Sequence, residues 1–277
     1  MVQDRCYPLS LPSQRLLPLW TLLLSGLLWA FSIALPAPIE AQSTAEDRKV
    51  LAVLYFDNHT GDERFEHLGK GMAEMLITDL SGLPALRLVE RARLQDLISE
   101  QELSRSNHSN PETALRIGRI LAAEYVITGS LTASEPEFRV DSRVIHTETA
   151  EILRTASATG TRDRFFTIHE ELSLAILEGL EIVLNEGEQA DFERHREGNR
   201  IEDLETTVAY SQALDHYDRG NYVDALERMA FVAQRAPASA IVGMTMERIR
   251  AGASAAAAEE GRSRARDFIR RRIPPGE

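Results

Sequence analysis

Val50-Leu-Ala-Val-Leu-Tyr-Phe56 is followed by Asp57-Asn-His-Thr-Gly-Asp-Glu-Arg64 and then by Leu68, Met72, Met75, Leu76, Leu80 and Leu83. The first run is apolar at odd and even positions alike, which suits a strand inside a sheet covered on both faces. The later residues fall in steps of three and four, which puts them on one stripe of a helix. The polar loop between them turns the chain from strand to helix. This is a β-α unit, and the rest of the chain completes that domain or hangs from it.

Outward from this unit, Pro84-Ala-Leu-Arg-Leu-Val-Glu90 reads as a second strand. Its helical crossover from the first forces the two strands parallel and the crossover right-handed. Leu94, Leu97 and Ile98 mark a short helix, and Ser104–Ser109 is a polar loop. Asn110 then caps a helix that has Pro111 at its first position and presents Ala114, Leu115, Gly118, Leu121 and Ala122. Tyr125, Ile127, Gly129 and Leu131 alternate along a third strand. Phe138, Val140 and Val144 line one face of a fourth, and Ile152, Ala156 and Ala158 one face of a fifth. The short turn Thr147–Glu151 makes those last two antiparallel. Phe165, Ile168, Leu172, Ala175, Ile176, Leu180 and Val183 form the stripe of a closing helix. The fold class is α/β, a mixed sheet with helices packed on it in the order β-α-β-α-α-β-β-β-α, spanning residues 48–184.

Four segments carry a family resemblance: Val53–Asn58, Leu68–Glu74, Leu88–Leu97 and Ala123–Ser130. In this order and spacing they resemble the signature segments of the CsgG curli-assembly family, and they are similar to the TolB amino-terminal and FlgO-type envelope domains. The resemblance implies an α/β domain of the bacterial cell envelope, typically periplasmic, without catalysis. Founding members of the family are lipoproteins that form an outer-membrane secretion pore. This chain departs from them in lacking the lipoprotein cysteine and the pore-forming hairpins. Ala133–Glu137 and Gly160–Asp163 are too short to lend membrane strands.

Residues 185–205 are charge-rich and read as a linker helix at a domain boundary. Beyond it, Ala209, Ala213, Gly220, Tyr222, Ala225, Met229, Val232 and Pro237 fall where a tetratricopeptide repeat places small, aromatic and terminating residues. The expected helices are Thr206–Arg219 and Tyr222–Arg235, with a further helical stretch from Ile241 to Ile273. Gln212 and His216 depart from the repeat pattern. The segment 206–273 is thus tetratricopeptide-like, with Tyr210, Leu214, Tyr217 and Asp218 as its candidate interaction surface. A lone repeat cannot bury its own face and must dock on something.

The formal charge is −12 from 31 basic and 43 acidic residues. In residues 1–41 Asp4 and Glu40 cancel Arg5 and Arg15, so the acidity belongs to the body. An acidic body opposes general binding to a phosphate backbone, and no nucleic-acid partner is expected. Arg262, Arg264, Arg266, Arg270, Arg271 and Arg272 are the local exception. They read as a solvated helix end or as a peripheral contact with anionic lipid.

Arg15, the uncharged run Leu16–Leu35 and the site Ile39-Glu-Ala41 make a secretory signal over residues 1–41, cut after Ala41. The run is also long enough for an uncleaved anchor. Either way the remainder is exported to the periplasm or outer membrane. Cys6, the sole cysteine, leaves with a cleaved leader, so no disulfide or thiolate chemistry is expected after it.

Catalytic patterns are scarce. Asp57, His59, Asp62, Glu63, Glu66 and His67 crowd one loop, but their spacing fits no established metal pattern. Gly69-Lys70-Gly71 opens a helix without forming a P-loop or dinucleotide fingerprint, and close packing explains its glycines. His169-Glu170-Glu171 lacks the second histidine of a zinc-protease helix, and no nucleophile elbow is present. No cofactor is expected. The sequence reads as a non-enzymatic envelope protein acting through envelope-protein partners, possible self-association included. The alternatives are an oligomeric ring component of a curli-type export system and a metal-dependent enzyme using the loop Asp57–His67.

Overall fold

The run Val50–Phe56 becomes the centre of a sheet. The computed structural model describes residues 48–100, 108–134 and 137–272, all within one compact unit. The leader, its cleavage site and Cys6 lie outside the described residues, as do residues 104–107 of the polar loop and Glu135 and Pro136 of the short turn. The strands are β1 (Lys49–Val53), β2 (Asp57–Asn58), β3 (Leu86–Leu88), β4 (Tyr125–Ser134), β5 (Glu137–His146) and β6 (Ile152–Thr161). The helices are α1 (Leu68–Leu80), α2 (Arg91–Glu100), α3 (Pro111–Ile120), α4 (Phe165–Gly179), α5 (Glu186–Gly198), α6 (Leu204–Asp218), α7 (Tyr222–Arg235) and α8 (Ala240–Arg272).

The sheet order is β3-β1-β4-β5-β6, with β2 beside β4. β1 pairs in parallel with β3 (Leu51 with Leu88) and with β4 (Val53 with Ile127). β4–β5 and β5–β6 are antiparallel. The mixed α/β sheet and its parallel first pair match the sequence reading. Leu51 to Phe56 are all buried, as a strand covered on both faces requires. Asn110 caps α3 by accepting from the backbone of Glu112 and Thr113, with Pro111 at the first turn.

Glycines set how closely the layers approach. A Cβ on Gly118 of α3 would fall 2.3 Å from Val126 Cγ2, and one on Gly179 of α4 would fall 2.6 Å from Arg154 Cβ. Val126 and Val144 point to opposite faces, because Val144 pairs with Ile127. The helices α3 and α4 therefore cover the two sides of the sheet.

Three details differ from the sequence reading. α4 ends at Gly179, and Val183 is 92% exposed rather than part of its stripe. The chain leaves the helix there with Glu181 at φ +55°. On α3 the buried stripe is Ala114, Ile117 and Gly118, while Ala122 lies past the helix at φ +53°. Ile152 shares the parity of Ala158 but is 47% exposed. A register shift opposite Val144 and Ile145 starts β6 with a bulge that turns Ile152 out of the core.

The C-terminal helices pack on the domain's own helix. α1 buries Leu68, Met72, Leu76 and Leu80 in the main core and Met75 in a second core with Tyr210, Ala213, Leu214, Ala225, Met229, Val232 and Ile249. A Cβ on Gly71 would fall 1.9 Å from Ser211 Oγ of α6. α1 is thus enclosed between the sheet and α6, and Glu74 and Asp79, off its apolar stripe, are buried too. Three residues join α6 to α7, which folds them into a helical hairpin. The stretch 185–205 holds α5, opened by a capping box between Asn185 and Glu188, a connection in which Ile201 is fully buried, and the first two residues of α6.

Candidate functional site

Doubly wound sheets place their crevice where crossovers leave in opposite directions, at the carboxyl ends of the parallel strands. Here that point lies between β1 and β4, since β1 connects to β3 on one side and β3 connects back past β1 to β4. A cavity of about 300 Å³ sits there. Tyr55, Phe56, Asp57 and Asn58 reach it as the chain leaves β1. Glu66, His67 and Lys70 reach it from the start of α1, His108 from the approach to α3, and Asp215, Asp218 and Arg219 from the end of α6.

Its floor is a chain of buried charges. Lys70 Nζ lies 2.9 Å from both Asp215 Oδ1 and Asp218 Oδ2. Arg91 Nη1 is 2.6 Å from Asp218, and its Nε faces Glu74 Oε2 at 3.1 Å as an ion pair without hydrogen-bond alignment. Glu74 is also paired with Arg248 of α8 at 2.6 Å, and Asp215 with Arg219 at 2.9 Å. The network joins α1, α2, α6 and α8. Each of its carboxylates has two cationic neighbours, so none is free to act as a base or metal ligand.

These neighbours set the ionisation. Burial alone would raise Asp215, but the Lys70 ammonium, with His67 and Arg219 behind it, holds it below its usual 3.8. Burial pushes Tyr55 up, partly offset by Arg91. Burial also pulls His67 below its usual 6.5 despite Asp215 at 3.6 Å, so this imidazole is neutral at pH 7.

The crowded loop is used structurally. Asp57 accepts from the backbone of His108 (3.1 Å) and Ser109 (2.6 Å), pinning the approach to α3. Asp62 caps a one-turn helix and pairs with Arg64. His59 and Glu63 are exposed. Among the described residues no three of His, Cys, Asp and Glu gather to hold a metal. His169 is fully buried against Asp79 at 2.9 Å, and Asp79 also accepts from Asn199. A wider hollow of about 510 Å³ opens beside Phe65 between Arg64, Arg162 and Leu204, but it holds no comparable set of buried titratable groups.

The expected interaction surface is turned inward. Tyr210 and Leu214 are fully buried, and Tyr210 shares a hydrogen bond with Thr245 of α8. Asp218 belongs to the ion network, and Tyr217 packs edge-on to Tyr222. Tyr210, Leu214 and the Asp218 side chain are covered, and Tyr217 is half-buried, because α6 lies between α1 and α8, an arrangement that repeat spacing does not encode. Arg262 and Arg264 are exposed, while the side chains of Arg266, Arg270, Arg271 and Arg272 lie outside the described residues. Arg91, Glu74 and Arg248 were not singled out in the sequence. The one signal was Lys70 and Glu74, an i,i+4 pair on a helix otherwise packed all round.

Residues 34–139 match the family model described as the Curli production assembly/transport component CsgG. The match runs into β5 and takes in all four signature segments, bearing out the resemblance. A Rhizobium meliloti (strain 1021) protein named as an adenylate cyclase is 25% identical over 139 residues, 50% of this chain. The chain spans 22% of that relative's length. The LpoB C-terminal domain from Salmonella enterica is similar at 19% identity and a TM-score of 0.35, covering 41% of this chain and 82% of that one. Lipoprotein GNA1162 from Neisseria meningitidis is similar at 13% identity and a TM-score of 0.37, covering 49% of this chain and 99% of that one.

Proposed function

We propose that this protein is a non-enzymatic component of the bacterial cell envelope that works through protein–protein contact during assembly. The CsgG match over residues 34–139 carries this reading, because it falls on β1 to β4, the start of β5 and the first helices rather than on a peripheral segment. The saturated ion network is consistent with it: charges that neutralise one another fix helices in place and leave little for chemistry. In this reading the tetratricopeptide-like hairpin is held on the domain, and partners meet the outer faces of α7 and α8. Arg262–Arg272 add a peripheral contact with anionic lipid. No helix among the described residues is long and apolar enough to cross a membrane.

The words assembly and transport in the family description favour one second reading, an oligomeric ring component of an outer-membrane export system. Crosslinking in intact cells, followed by fractionation and mass spectrometry, tests both. The envelope reading expects the protein in the periplasmic or outer-membrane fraction, joined to other envelope proteins. Crosslinks only between copies, with a ring seen by electron microscopy, would support the second reading. A protein confined to the cytoplasmic fraction would overturn both.

A further inference from the structure

We propose that the free side of β6 is an interface between two copies of this chain, paired antiparallel about a two-fold axis at Ser157. The proposal goes beyond the envelope reading and does not depend on it. β6 is the outer strand of the sheet beside β5, and among the described residues no strand pairs with its other side. Such a strand offers unpaired backbone groups to any second strand unless a side chain blocks the approach. The one ionised side chain of β6, Arg154, is held by Glu178 of α4.

The second observation is how α4 lies along this strand. A Cβ on Gly160 would fall 3.1 Å from Ile168 Cγ1, and one on Gly179 would fall 3.2 Å from Val144 Cγ2 of β5 as well as close to Arg154. α4 thus runs antiparallel to β6 and covers β5 with it. Half-way along both, Ser157 is level with Leu174. Glu171, Leu174 and Glu178 follow in steps of three and four, so they share one side of the helix. Glu178 marks that side as the one above the free edge. The other side faces α1, where His169 meets Asp79. Leu174, large and apolar, is 50% exposed above the edge.

A second copy is the occupant these residues select. Pairing through Ser157 sets Arg154 opposite Gly160 and Ala156 opposite Ala158 of the second copy, so no two bulky side chains meet beneath the helices. A helix that covers two strands puts the two α4 helices about 10 Å apart, within packing distance. Leu174 then meets Leu174 of the second copy on the axis. Glu171 of the second copy comes level with Arg154 and gives it a second carboxylate. The ends of the strand complement each other too. β6 starts at a hollow of about 380 Å³ lined by Glu151, Arg154, Glu178, Glu181 and Lys49, whose ammonium already donates to the Leu180 carbonyl at 2.6 Å. It ends in Arg162-Asp163-Arg164. Antiparallel pairing brings each acidic start to a basic end, whereas parallel pairing would set like against like. Strand and helix layers together make an interface on the order of 1,000 Å² in total, the lower bound of a specific one, so the dimer is reversible.

The test is sedimentation velocity on the full chain over a concentration series, at physiological salt so that the formal charge of −12 on each copy is screened. The proposal expects a monomer–dimer equilibrium. Leu174→Glu sets two like charges on the axis and should weaken the dimer at least about tenfold. Thermal stability should not change, because the side chain is half exposed. Val223→Glu, exposed on α7, should leave the dimer as it is. In a Cys6→Ser background, Ser157→Cys should form a disulfide between copies on oxidation, because opposed Cα atoms of an antiparallel pair lie about 4.5–5.5 Å apart. Val223→Cys should not. A monomer at every concentration, a dimer that Leu174→Glu leaves intact or that both glutamate variants weaken equally, or no disulfide through Ser157 would overturn the proposal.

Discussion

Arg91 Nη1 lies 2.6 Å from Asp218 Oδ2, with the two side chains 2% and 5% exposed, although 127 residues separate them. One opens α2 and the other closes α6, so a single pair ties the sheet domain to the C-terminal helices. Removing one member of a buried pair strands the other charge in a low-dielectric site. Asp218→Ala should cost on the order of 3–5 kcal/mol, read as a lowered urea midpoint. A midpoint equal to that of the parent protein would show that the network does not hold the two parts together.

Gly69 is where α1 passes closest to the strand that precedes it. A Cβ there would fall 1.8 Å from the carbonyl oxygen of Phe56, a backbone atom that cannot rotate away. Gly69→Ala should therefore destabilise by about 1–3 kcal/mol, although alanine favours helix elsewhere. Gly243 has open space around it, and Gly243→Ala in α8 should be neutral or stabilising. The contrast between the two in thermal unfolding checks the packing explanation against a general helix-propensity effect.

Ala225 is fully buried in the second core, beside Met229 and Ala213. Ala225→Leu should overpack the α6–α7 hairpin and cost about 1–3 kcal/mol. Limited proteolysis should then cut α7 and α8 before the sheet. Resistance equal to the parent protein would mean that the hairpin has room the structure does not show.

Acid should weaken the fold in two steps. His67 is pulled by burial below its usual 6.5, against Asp215 and Glu66. Below about pH 6.5 the unfolded chain binds more protons at this residue than the folded one, so stability falls as pH drops through the folded value. Burial raises Asp215, but the Lys70 hydrogen bond and charge more than offset this. Its contribution is present above 3.8 and lost as pH falls further. His67→Gln should flatten the first step and shrink the second only slightly, because Lys70 supplies more of the lowering of Asp215 than His67 does. The urea midpoint between pH 7.5 and 3 measures both, and an unchanged first step would remove His67 as its cause.

The strands and helix starts were legible in the sequence because each rests on a local signal. Val50–Phe56 has its unbroken apolar run, Asn110-Pro111 its cap, and Gly69-Lys70-Gly71 glycines that only close packing explains. The site was less legible. Asp57 was visible only as one of a crowd of polar residues, while its partners at His108 and Ser109 lie more than fifty positions away. Glu74 lies off the apolar stripe of α1 and was not singled out. It is buried because α6 and α8 cover that side, and no spacing within α1 announces a second layer. Tyr210 and Leu214 failed as surface residues for the same reason.

The margins of the sheet are unequal. β3 presents three residues and β6 presents ten, eight of them beyond the bulge and free of Lys, Asp, Glu and Pro. Backbone ladders need length on both partners, so among the described strands two copies meeting edge to edge could do so only along β6. Once joined, neither copy would have a second long margin to offer among its described strands. Association of this kind stops at two and cannot propagate into a filament. A ring of many copies, if this protein builds one, must close through side chains on its helices and loops.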